Sequence, residues 1–197
     1  MKKGIIGFGG FGREVKQIIL DNNPNEIVDF FVDDEYVCEH TKKISEIDFD
    51  SYEIVVSIGN PVHRENIVKK LPENTKFFTV IHKSVQIMDT NIEIGVGSII
   101  CPNTILTTNI KIGGHCHLNL STTIGHDTII GDFCTTAPGA KISGNCVVGD
   151  LVYFGTNSSV KEKIKICDNV IIGLNGGVVK DIIEPGVYGG TPTKKIK

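Results

Sequence analysis

Two folds in tandem are predicted, a small parallel α/β sheet over residues 1–81 and a parallel β-helix over residues 82–197, and three observations predict them. From Met88 to Val178 every sixth position is apolar in fifteen of sixteen repeats without an inserted or lost residue, and only Thr136 interrupts the column. Three residues after the anchor stands Asn, Gly or Asp in eleven of the sixteen repeats, types that tolerate a left-handed backbone, and the next residue is small or β-branched, as at Ser98, Cys116 and Ala140. Before this array, residues 1–81 alternate short apolar runs with amphipathic stretches around the glycine-rich segment GFGGFG at 7–12. An inward apolar residue and a tight turn every six residues make a three-sided β-helix of eighteen residues per coil. Stacked coils bury a continuous apolar prism and pair backbone with backbone at ~4.8 Å per coil.

The first 81 residues read in order as a βαβ-type alternation. Lys3–Gly7 is a short apolar run, Arg13–Leu20 is amphipathic, and Ile27–Val32 and Ile54–Ile58 are further strands. Pro61 suits the first position of a second helix, Phe77–Ile81 reads as a last strand of the sheet, and Glu35–Tyr52 as a loop with a short helix. Residues 81–87 join the two parts.

Composition narrows the function. The 197 residues carry a net charge of −3 without a basic run, so nucleic acid is not an expected partner. No apolar run approaches a membrane span, and the glycine-broken N-terminus does not read as a secretion signal, so a cytoplasmic protein without membrane insertion is expected. The six cysteines lack CxxC spacing, and Cys116, Cys134 and Cys146 take the inward small-residue position, which marks them as reduced core thiols. His115, His117 and His126 fall at different repeat positions, so no stacked metal site is expected.

Gly7, Gly9 and Gly12 form G-x-G-x-x-G between a strand and a helix, and Asp33 follows 21 residues later at a strand end. Such a loop lets backbone N–H groups and a helix N-terminus approach a diphosphate. A dinucleotide site needs a second βαβ half that about 80 residues do not hold, which favours a sugar nucleotide; a purely structural glycine turn is the other alternative. On the prism, His126 stands two places after anchor Ile124 and faces outward, and Asp127 beside it can orient an imidazole, although it also fills the turn slot. One coil later, Gly144 stacks against His126 with an unobstructed N–H.

The whole chain resembles the hexapeptide-repeat acyltransferases, in particular the bacterial nucleotide-amino-sugar N-acetyltransferases of the bacillosamine-pathway type and their sialic acid O-acetyltransferase relatives. The resemblance rests on GFGGFGREV at 7–15, FVDD at 31–34, SIGN at 57–60 with Arg64, IHKSV at 81–85, Asn119 seven residues before the His126–Asp127 pair, and the closing Gly-Thr-Pro-Thr-Lys turn. It implies a left-handed β-helix and a homotrimer with its active sites between subunits. It implies acetyl-CoA as co-substrate and a nucleotide-linked amino sugar as acceptor, for bacterial surface-glycan synthesis. Asp33 and Asp34 would then meet the base or ribose, and Gly9, Gly10 and Asn60 the phosphates. His126 would be the general base, with Asp127, Asn119 and Gly144 completing the catalytic set. Gly144, Pro192 and Lys194 would border CoA. Enzymes of the bacillosamine type carry a second histidine nine residues after the catalytic one; here that position is Thr135, which leaves the sugar and the base open. Sialic acid O-acetylation and a non-catalytic sugar-nucleotide scaffold are the alternative readings.

Overall fold

A computed structural model describes residues 1–197 and has the expected fold class. The N-terminal part consists of β1 (Lys2–Ile6), α1 (Gly10–Asn22), β2 (Val28–Val32), β3 (Lys42–Lys43), β4 (Tyr52–Val56) and α2 (Pro61–Lys70). Its four strands are parallel in the order β3-β2-β1-β4. Ile5, Val55 and Ile54 are fully buried in it, as strands covered on both faces require. Asn60 caps α2 by accepting the His63 N–H at 3.0 Å, Pro61 opens the helix, and Lys69 and Lys70 sit in its last turn, where cations suit the helix dipole. Gly12 is fixed by packing, because a Cβ there would lie 2.2 Å from the Gly7 carbonyl oxygen.

Two expectations for this part are corrected. The segment between Asp34 and Tyr52 is more than a loop with one helix: it holds two single 3₁₀ turns, Asp34–Tyr36 and Ile44–Glu46, and the edge strand β3. The run Phe77–Ile81 is not one strand of the first sheet. Phe77 bridges Ile54, whereas Val80–Ile81 pairs with Ile99–Ile100 and already belongs to the prism. An apolar run that passes from one core to the next has a single hydropathy signature, so its division is not visible in the sequence.

The prism has three sheets of short parallel strands, with rungs eighteen residues apart through its middle, as Lys111 pairs with Ile129 and Thr123 with Lys141. The first coil breaks that period. Ile87 pairs with Leu106, nineteen residues on, while Ile94 pairs with Ile112, so one extra residue lies between these rungs. Met88, expected as the first anchor, is therefore displaced outward and is 64% exposed. The longer corner is held by Asp89, whose carboxylate accepts the N–H groups of Asn91 and Asn109. The last coil is shorter, with Val170 opposite Gly186, and the chain then returns as an antiparallel hairpin of Gly186–Gly189 and Lys194–Lys195.

Nine of the eleven expected turn residues adopt positive φ; Asn91 and Asp181, in the irregular first and last coils, do not. The regular coil also imposes this conformation on His115, Ser121, Phe133, Leu151 and Lys163, with φ between 53° and 64°. Thr136, the polar break in the apolar column, is fully buried; its hydroxyl meets that of Thr122 at 2.7 Å and accepts the Asn119 N–H. All six cysteines are free, and burial pushes the Cys116 thiol up to about 12. No helix is long and apolar enough to cross a membrane.

Candidate active site

The corner between rungs Thr123–Ile124 and Ile129–Ile130 carries His126 and Asp127, with side chains 58% and 46% exposed. Asp127 adopts a φ of 57°, so it fills the turn slot and still directs its carboxylate at the neighbouring ring. His126 Nδ1 and Asp127 Oδ2 are 2.7 Å apart; with the ring neutral, Nδ1–H donates, which leaves the Nε2 lone pair free and outward. Asp127 Oδ1 accepts from Asn109 Nδ2 at 2.7 Å, one coil earlier. The Asn109 hydrogen bond, followed by that of His126, holds the Asp127 carboxyl below the usual carboxylate range.

Gly144 lies against the face of His126. A Cβ at Gly144 would fall 2.7 Å from His126 Nε2 and 2.8 Å from Cε1, so only glycine leaves the ring where it is. The Asn145 N–H donates to the His126 carbonyl at 2.7 Å and locks the two coils together, while the Gly144 N–H donates to no group in the chain. An oriented, accessible imidazole nitrogen thus stands beside an unpartnered backbone donor. That pair can take a proton and stabilise a developing oxyanion.

Asn119 is not part of this corner. It sits at the preceding corner, where its Oδ1 accepts the Leu120 N–H at 2.7 Å, and it has no hydrogen bond to His126. It lines a cavity of about 320 Å³ at the seam of the two folds, together with Phe11, Glu14, Gly59, Thr135 and Tyr153. Thr135 is nearly buried there and donates its hydroxyl to the Gly59 carbonyl at 3.0 Å.

The glycine loop opens on a cavity of about 360 Å³ whose lining includes Gly9, Phe8, Asp33, Tyr36, Ile44 and Ile58. A Cβ at Gly9 or Gly10 would meet nothing within 4 Å, so no packing contact explains these two glycines and the space before them is free. Asp33, at the end of β2, reaches the cavity, whereas Asp34 turns away toward Lys43 at 3.4 Å. Gly10 opens α1 beside the cavity without lining it, and the Asn60 side chain is engaged as the cap of α2. Pro192 and Lys194 belong to the terminal hairpin, where Lys194 is exposed, and the hydrogen bonds of His126 and Asp127 go to other residues. No group of three or more His, Cys, Asp or Glu is arranged to hold a metal ion.

Sequence reasoning missed Asn109 and Tyr36, and it named Arg64 only for the resemblance, without its place across the seam. The eighteen-residue spacing that finds Gly144 from His126 also finds Asn109 from Asp127, so that signal was present. Nothing in the sequence marked Tyr36 as a cavity residue.

Residues 4–71 match the family described as the PglD N-terminal domain. Proteins of curated function give no match. Among solved structures, WeeI from Acinetobacter baumannii AYE is 32% identical over 100% of both chains, with a TM-score of 0.89. The chain belongs to the PglD-type hexapeptide-repeat acetyltransferases. Two more distant structures share the fold, which in this family is the left-handed parallel β-helix behind a small α/β sheet. One is the acetyltransferase domain of PglB from Neisseria gonorrhoeae FA1090 in complex with acetyl coenzyme A, 22% identical over 99% of this chain and 98% of its own, with a TM-score of 0.88. The other is a point mutant of perosamine N-acetyltransferase from Caulobacter crescentus in complex with CoA and GDP-perosamine, 20% identical over 100% of this chain and 97% of its own, with a TM-score of 0.89.

Proposed function

We propose that this PglD-type protein transfers the acetyl group of acetyl-CoA to the amine of a nucleotide-linked sugar in the cytoplasm, for a bacterial surface glycan. The observation that carries this reading is the His126 corner: an imidazole hydrogen-bonded to Asp127 and seated on Gly144, whose N–H is free. Residues 1–79 serve as the sugar-nucleotide domain, and the prism from Val80 onward as the acetyltransferase domain with a CoA-binding tail that includes Pro192 and Lys194. The complexes of the PglB domain with acetyl coenzyme A and of perosamine N-acetyltransferase with CoA and GDP-perosamine support these two ligand classes.

His126 Nε2 accepts a proton from the sugar amine as that nitrogen attacks the thioester carbonyl carbon. The Gly144 N–H faces the oxygen that becomes negative, a contribution of roughly 3–4 kcal/mol for such a donor. Collapse of the tetrahedral centre re-forms the carbonyl, breaks the carbon–sulfur bond and releases CoA thiolate, and the proton on His126 is then free to leave. No covalent enzyme intermediate is required, and the cysteines have no part in it. Asp127 holds the imidazole in the tautomer that presents Nε2. In the glycine-loop cavity, Asp33 accepts hydrogen bonds from the nucleoside, and Gly9 and Gly10 leave room for the diphosphate.

The working assembly is a homotrimer. Asn119 and His126 lie on one coil, hence within ~4.8 Å of each other along the prism axis. Rotation about an axis parallel to the prism preserves that height, so the seam cavity of one copy can face the His126 corner of the next. This assembly gives Asn119 access to the site that its own chain denies it.

The test is acetyl-CoA consumption with UDP-, dTDP- and GDP-linked amino sugars and with free sialic acid, read by product mass, for wild type and His126→Ala. Acetylation of one nucleotide amino sugar, lost in the variant, is the expected result. Acetylation of sialic acid alone would move the protein to O-acetyl transfer, and no turnover on any acceptor would sink the catalytic reading.

A further inference from the structure

One side chain joins the two folds. Arg64 of α2 is 0% exposed, and its partners are carbonyl and hydroxyl oxygens and one imidazole nitrogen, with no carboxylate among them. A guanidinium has five N–H groups in a planar fork, and five close acceptors surround this one. Nε donates to the His115 carbonyl at 2.8 Å. Nη1 donates to the Ile58 carbonyl at 2.6 Å and to His117 Nδ1 at 3.2 Å. Nη2 donates to the Phe133 carbonyl at 2.7 Å and to Thr135 Oγ1 at 2.8 Å. Because His117 Nδ1 accepts, its Nε2–H is the donor to the Val56 carbonyl at the end of β4, at 2.9 Å.

The acceptors come from three places. Ile58 lines the glycine-loop cavity, Thr135 lines the seam cavity, and His115 and Phe133 lie on successive coils. Burial pushes the guanidinium down to about 10, which still leaves it charged near neutrality. A buried cation without a counter-ion is costly unless every donor is used. Simple docking of two apolar surfaces would not need one.

We propose that Arg64 is a positioning residue for the transfer reaction: it fixes the span between the nucleotide cavity and the coil surface, and so sets where a nucleotide-bound sugar presents its amine. This inference rests on the function proposed above. A donor held by a bent or loosened joint reaches the transfer site off line, and a displacement of about 1 Å is enough to cost roughly 100-fold in rate. Lysine, with three N–H groups and no plane, cannot reproduce the five bonds.

The experiment uses the full chain with Arg64→Lys, Thr135→Val and Thr135→Ser. In Arg64→Lys, kcat with the nucleotide amino sugar is expected to fall about 100-fold. The dissociation constants of acetyl-CoA and of the bare nucleoside diphosphate should stay within about twofold, since each ligand sits on one fold alone. Thr135→Val, which removes one acceptor, should lower kcat about tenfold, and Thr135→Ser should restore it. Hydrogen exchange over residues 57–60 should quicken in Arg64→Lys and Thr135→Val but not in Thr135→Ser.

An unchanged kcat per folded molecule, with only the unfolding temperature lowered, would reduce Arg64 to a stabilising contact and overturn the proposal. If Arg64→Lys does not fold, the threonine pair decides: equal kcat in Val and Ser overturns it. If the wild type acetylates no nucleotide-linked sugar, the function above has failed, and the exchange data judge the joint by themselves, unchanged exchange over 57–60 counting against it.

Discussion

His115 and His117 at the seam differ in burial and in partners from His126 at the open corner, nine residues beyond His117. His115 stacks on Phe133 with centroids 5.1 Å apart, its Nδ1 is buried without a partner, and burial together with Arg64 pushes its pKa down to about 4. His117 is also held neutral, by burial first and Arg64 second, with both ring nitrogens committed. His126 is open to solvent, has a carboxylate on Nδ1 and nothing on Nε2. One residue type therefore serves as packing in one region and as a candidate base in the other. The difference lies in what each ring touches, as the repeat phase and the docked N-terminal sheet dictate.

The sharpest way to break this contrast is to remove the open ring. His126→Ala should lower kcat about 1,000-fold and leave the unfolding temperature unchanged, because the ring is exposed. Comparable losses in both would place His126 with the seam residues.

The seam histidines make the complementary claim about stability. The His115 pKa is lowered from 6.5 to about 4, so the unfolded chain takes up its proton first as pH falls. Stability from this group is intact above pH 6.5 and is lost progressively toward pH 4, on the order of 3 kcal/mol in all. His115→Asn, which accepts the left-handed backbone at this position, should flatten the acid-side slope in urea unfolding at a series of pH values; an unaltered slope would refute the assignment.

Gly144→Ala tests whether the corner is built around the ring. The added Cβ would displace the imidazole, and kcat should fall about 100-fold, more than acetyl-CoA binding weakens. Retained activity would mean the ring has other working positions. The smallest effect is expected of Asn109→Ala: losing the first cause of its low pKa, the Asp127 carboxyl should titrate at higher pH by NMR, and kcat should drop about threefold. An unmoved Asp127 titration would leave the carboxylate dependent on His126 alone.

The regular middle of the prism was legible because one six-residue rule governs it, and the same rule, taken three times, puts Gly144 one coil beyond His126. It failed at Met88, where one added residue moves the phase without altering the apolar character of the stretch: Ile87 and Met88 are equally plausible anchors on paper. It was silent on His115 and Phe133, whose left-handed backbone follows from the coil rather than from their own preference. In the candidate site, the local features, His126 beside Asp127 and the glycine loop before Asp33, were readable. Asp34 and Asn60 were assigned toward the nucleotide, but one faces Lys43 and the other caps α2. Arg64 resisted reading because four of its five close partners lie 51 to 71 residues away.

Three of the five close acceptors around Arg64 are main-chain carbonyls, those of Ile58, His115 and Phe133. A carbonyl survives any change of its side chain. The surface around the seam can therefore drift through many sequences without losing its grip on the N-terminal sheet. Glu14 and Tyr153 line the seam cavity and are not among the partners of Arg64, so they can change without loosening the joint. An anchorage written largely in backbone lets a lineage explore new acceptors while the two folds stay in register.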